Sequence, residues 1–140
     1  MNVVRYILLW FLTFLFTSAI DAFWHLLAFR RAYADGIRPL ARMDGGKIAF
    51  KGFPGIMAQV LVVTCIVVLV LYGIQKGQLW EAALIGALCG TLAITVYGFT
   101  NYSLFKDWNL TLTVLEIVWG PILGGLSGMF VFWMRSILLK

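Results

Sequence analysis

Asp21 and His25 are the only charge-bearing side chains between Arg5 and Arg30, and they stand four residues apart. On a helix that spacing puts them on one face. Glu116 lies alone in a second apolar stretch, Tyr97 and Asn101 share an i, i+4 face in a third, and Gln59 sits near the start of a fourth. Trp24 and Trp119 lie beside the acids. Two carboxylates and an imidazole suit acid–base exchange or metal ligation. No dedicated ligand spacing accompanies them, however, and Cys65 and Cys89 form no CxxC pair, so no metal, cofactor or thiol redox centre is expected. What remains is hydrogen bonding. Asp21, Trp24, His25, Gln59, Tyr97, Asn101, Glu116 and Trp119 are the candidate ligand-binding residues, and Arg30 and Arg31 are placed to hold an anion or lipid headgroup at the rim. The competing reading makes the same side chains glue between helices, worth about 0.6 kcal/mol each.

These residues sit in a chain with too few charges to cover a soluble globule. Of 140 residues, 62% are apolar and 12% charged, with a mean hydropathy of +0.94. A soluble domain carries about 25% charged residues. The composition excludes a soluble monomer, a disordered tail and a disulfide-stapled module. Alternating segments of about ten residues, the signature of a membrane barrel, are absent, so helices must satisfy the backbone in lipid.

Four apolar runs, at about 3–29, 53–74, 80–105 and 109–134, are each long enough to cross about 30 Å of hydrocarbon. The expected fold is therefore an all-α membrane protein. It is a four-transmembrane-helix bundle in a single domain, 1–140, with one long basic loop, 30–52, between helices 1 and 2. Pro54 suits the first turn of the second helix, and Asp107 or Asn109 the cap of the fourth. Asp44-Gly45-Gly46 reads as a turn, with a short hairpin around it. The first run is too long for a signal peptide, with Arg30-Arg31 on the wrong flank, and is read as a retained span.

Because the helices alternate in direction, all the polar candidates fall in the leaflet nearest the long loop, roughly 5–12 Å below that surface. Polar groups within spans are costly, and accidents would not choose one leaflet. This predicts a polar pocket open towards the loop. Gly120, Gly124 and Gly128 make one helical stripe, shared by Glu116, and Gly86 and Gly90 make another. Such glycine stripes let backbones approach closely, as packing faces within the bundle or as a homodimer face.

Seven basic residues (Arg30, Arg31, Arg38, Arg42, Lys47, Lys51 and Lys106) fall on the loop side and four (Arg5, Lys76, Arg135 and Lys140) on the other. The asymmetry places the loop in the cytoplasm and both termini outside. The basic loop is also expected to meet anionic lipid headgroups.

The run Tyr97-Gly98-Phe99-Thr100-Asn101, then Lys106-Asp107-Trp108, then Leu115-Glu116-Ile117-Val118-Trp119-Gly120, together with Asp21-Ala22-Phe23-Trp24 and the following Arg30, Arg31 and Tyr33, resembles a bacterial family of small four-helix integral membrane proteins catalogued only as a domain of unknown function. The resemblance implies four spans in a bacterial inner membrane and lends no reaction. The leading reading is a protein whose pocket binds a lipid or another amphiphile. The alternatives are an accessory or assembly subunit of a larger membrane complex, with a second copy or a partner subunit against its faces, and, further off, a proton-coupled transporter or a membrane-embedded enzyme. No nucleic-acid partner is expected.

Overall fold

In a computed structural model, residues 3–49 and 51–139 are described. Phe50, in the basic connection, and Lys140, in the charge count, lie outside them. Four long helices form: α1, Val3–Ala28; α3, Gly52–Gly73; α4, Leu79–Leu104; and α5, Leu110–Leu138. Each is long and apolar enough to cross a bilayer. The caps follow the sequence chemistry. Asn109 accepts a hydrogen bond from the Leu112 amide at 2.8 Å and starts α5. Gln78 and Glu81 form a reciprocal capping box at the start of α4, and the Glu81 carboxylate also accepts from the Lys76 amide at 3.0 Å.

The long connection is not an open loop. It contains a further helix, α2, Arg30–Ile37, and then a two-residue hairpin, β1 (Met43–Asp44) against β2 (Lys47–Ile48). Gly45 and Gly46 turn the hairpin with positive φ, a conformation that side chains resist. The reading of 30–52 as a loop missed α2 because its eight residues carry little apolar weight. Yet Tyr33, Gly36 and Ile37 mark one face at i, i+3 and i+4. Tyr33 and Gly36 are buried, and Gly36 leaves no space beyond its Cα: an added Cβ would stand 2.7 Å from the Leu112 side chain. α2 therefore lies over the loop-side end of α5.

α4 and α5 are held at backbone contact. A Cβ added to Gly86 would overlap the Gly124 carbonyl, and one on Gly90 the Gly120 carbonyl. A Cβ on Gly128 would overlap the Ala82 carbonyl. These glycine faces are filled within the chain itself. At the loop-side end of the same ladder, Gly98 faces Glu116; a Cβ there would stand 3.2 Å from Glu116 Cβ.

The apolar core occupies the other half of the bundle. Leu9, Val63, Ile66, Val67, Val70, Ala82 and Val131 are buried together, near the leaflet of the 74–78 turn. Hydroxyls tie α1 across it: Thr17 Oγ1 and Ser127 Oγ are 2.9 Å apart, and Trp10 Nε1 donates to Thr64 Oγ1 at 3.0 Å. α3 packs on the 79–90 half of α4 and draws away from its 91–104 half. The loop-side half is thus the open end of the bundle.

Candidate functional site

Two widened helical turns mark this open end. Trp24–Ala28 in α1 and Thr91–Thr95 in α4 are π-helical, each accommodating an extra residue in the turn. The first carries Trp24 and His25, the second Ala93 and Ile94. Between them lies a cavity of about 430 Å³. Its polar lining comes from Asp21, His25, Tyr33, Gln59, Tyr97, Trp108 and Glu116. Ile37, Val62, Ile94, Leu112 and Leu123 supply apolar wall. Ala58 on α3 and Ala93 on α4 also line it and are exposed, so the cavity opens sideways between the two helices that draw apart.

His25 bridges the two acids. Its Nδ1 is 3.3 Å from Asp21 Oδ1 and its Nε2 is 3.7 Å from Glu116 Oε1. Nδ1 also lies 2.9 Å from the Asp21 carbonyl, one turn back. The carboxylates therefore approach opposite edges of one ring and do not converge on a point. Among the described residues no group of three His, Cys, Asp or Glu side chains is arranged to hold a metal ion. Such a chain suits hydrogen bonding and charge compensation better than metal ligation.

Aromatic residues fix both ends of this chain. Trp119 Nε1 donates to Asp21 Oδ1 at 2.8 Å, and its ring stacks on Trp24 with centroids 4.3 Å apart and 7° between planes. Trp24 Nε1 in turn donates to the Tyr33 hydroxyl at 3.1 Å, and the Tyr33 ring packs 4.3 Å from His25. Accepting from Trp24 leaves the Tyr33 O–H free to donate towards Glu116. Burial, and then the Glu116 charge facing it, push the Tyr33 hydroxyl well above the usual tyrosine range, so it stays protonated. Asp21, Trp119, Trp24, Tyr33, His25 and Glu116 thus form a closed ring of contacts drawn from α1, α2 and α5.

Of the residues expected from the sequence, the structure brings Asp21, His25, Gln59, Tyr97 and Glu116 to one cavity, with Trp24 and Trp119 supporting Asp21 and Tyr33. Asn101 does not line it. It is one turn beyond Tyr97, about 6 Å nearer the surface, where α4 is ending. Arg30 and Arg31 do not line it either. They border a separate surface pocket of about 440 Å³ around Leu27–Ala32, where α1 gives way to α2. Tyr33 and Trp108 were not among the expected site residues. The face shared by Tyr33, Gly36 and Ile37 was the available signal for the first. Trp108 lies outside any apolar run, and its place follows from folding: its Nε1 donates to Thr113 Oγ1 at 3.2 Å, and its ring meets Tyr97 edge-on.

Trp119→Phe tests the ring of contacts. The phenyl keeps a stacking partner for Trp24 but cannot donate to Asp21. A loss of about 1–3 kcal/mol in detergent unfolding is expected. An unchanged midpoint would mean that Asp21 does not depend on the indole.

Four apolar helices around a polar, laterally open cavity define an integral membrane protein. The chain belongs to the family described as predicted membrane protein, DUF2177, whose model matches residues 6–133. No curated protein and no solved structure matches it.

Proposed function

We propose that the loop-side cavity binds the polar head of a lipid or other amphiphile that enters between α3 and α4. One observation carries the reading. The amide nitrogen of Gln59, which lines the cavity, is buried without a hydrogen-bond partner. A buried unpaired donor costs about 1–3 kcal/mol. If the Gln59 amide turns towards the cavity its residue lines, a ligand acceptor would remove that cost, and the exposed alanines at its side leave a path for an apolar tail. Native mass spectrometry of the protein in mild detergent tests it. A bound amphiphile of defined mass at one per chain is expected. A bare chain from several gentle detergents would refute it.

The membrane is proposed to be a bacterial inner membrane, with 30–52 cytoplasmic and both termini outside, on the basis of the seven-to-four basic asymmetry. Basic residues on α2 and the hairpin then meet anionic headgroups, at about 1 kcal/mol each where well placed. On a Cys65→Ser, Cys89→Ser background, an impermeant thiol reagent should label Lys76→Cys in intact cells and spare Lys47→Cys. The reverse pattern would invert the topology.

A further inference from the structure

We infer that the cavity selects a zwitterionic lipid head that carries an ammonium group beside an acceptor oxygen. This inference rests on reading the cavity as an amphiphile site. The charge balance of the lining decides the sign. Asp21 and Glu116 contribute two carboxylates, and the one group there able to become cationic is His25, already placed between them. Among the described residues no lysine or arginine lines the cavity. With His25 carrying one positive charge at most, at least one negative charge is left uncompensated whenever both acids are ionised. A buried charge of that kind is stabilised by a cation and repels an anion. The walls agree: Tyr97 and Trp108 meet edge-on at 85°, with ring centroids 5.8 Å apart, and both line the cavity. Aromatic faces attract alkylammonium groups. The unpartnered Gln59 nitrogen is a donor that an acceptor oxygen on the same head would satisfy once the amide turns to the cavity. An ethanolamine phosphodiester supplies both, and the side opening leaves its acyl chains in the bilayer.

The test titrates the delipidated full chain with phosphatidylethanolamine, phosphatidylglycerol and a neutral diacylglycerol glucoside of identical chains, with one-to-one occupancy read by native mass spectrometry. The ethanolamine lipid should bind at least about tenfold tighter than the glycerol lipid. Glu116→Gln, which keeps the shape of the side chain, should shrink that preference to about twofold. Asp21→Asn is the second variant should Glu116→Gln fold poorly. Tail-less glycerophosphoethanolamine should not displace the lipid at micromolar concentration, and displacement there would overturn the lipid assignment in favour of a soluble ligand. If no lipid binds one to one, the amphiphile reading itself fails. If the anionic or neutral lipid binds as well as the ethanolamine lipid, or if both charge-removing variants leave the preference intact, the head-group inference fails and the amphiphile reading stands.

Discussion

Gly124→Leu should lower the stability of the bundle in detergent by about 3 kcal/mol or more. Overpacking a close contact ordinarily costs about 1–3 kcal/mol. Here the new side chain meets backbone, since even a Cβ at position 124 would overlap the Gly86 carbonyl. Backbone cannot change rotamer, so α4 and α5 must separate along their length. The same separation would carry Gly98 away from Glu116 and widen the cavity. Leu126→Ala is the control: Leu126 is exposed on the far side of the helix. It should shift stability by less than about 1 kcal/mol. Equal shifts in thermal unfolding would mean that the glycine face does not pack.

The second large effect is expected at His25. Breaking a buried ion pair by removing one partner costs about 3–5 kcal/mol. His25→Leu should cost about 2–3 kcal/mol, less than that range, because the Asp21 side chain is 29% exposed and keeps its bond from Trp119. Adding Glu116→Leu should not add a full second penalty. With both partners gone, the carboxylate left unpaired by the first change no longer exists, and a coupling of at least about 1 kcal/mol is expected. Strictly additive losses would show that the histidine and the glutamate do not act on each other.

Much of the fold was legible because lipid imposes one strong rule. A backbone in hydrocarbon must bond to itself, so four long apolar runs become four helices, and their ends fall within a few residues of where the polar turns begin. The common depth of Asp21, His25, Gln59, Tyr97 and Glu116 was legible for a related reason: rise per residue fixes depth once the helix directions alternate. Rotation and splay were not legible. Whether two polar groups at equal depth meet depends on how far apart their helices lean. That is set by side-chain fits such as Gly36 against Leu112 and by the π turns at 24–28 and 91–95. No periodicity in Trp24–Ala28 or Thr91–Thr95 distinguishes a π turn from an α turn. The short helix α2 escaped for a different reason. Its stability comes from lying on α5, and a segment with three face residues and three charges looks in isolation like a polar loop.

Photo-crosslinking shows whether an amphiphile head occupies the loop-side cavity. A phospholipid with a diazirine at its head end would be reconstituted with the full chain, irradiated, and its adducts mapped by peptide sequencing. Under the proposed topology, head groups of the surrounding bilayer would reach surface positions such as Arg30, Arg31 and the 43–48 hairpin whether or not the cavity is filled. An amphiphile head in the cavity should give adducts on Glu116, Gln59 and Tyr97, from three different helices, lost when excess unlabelled lipid competes. Adducts confined to the surface positions and to lipid-facing side chains such as Leu92 and Phe99, with Glu116 and Gln59 unmodified, would contradict it.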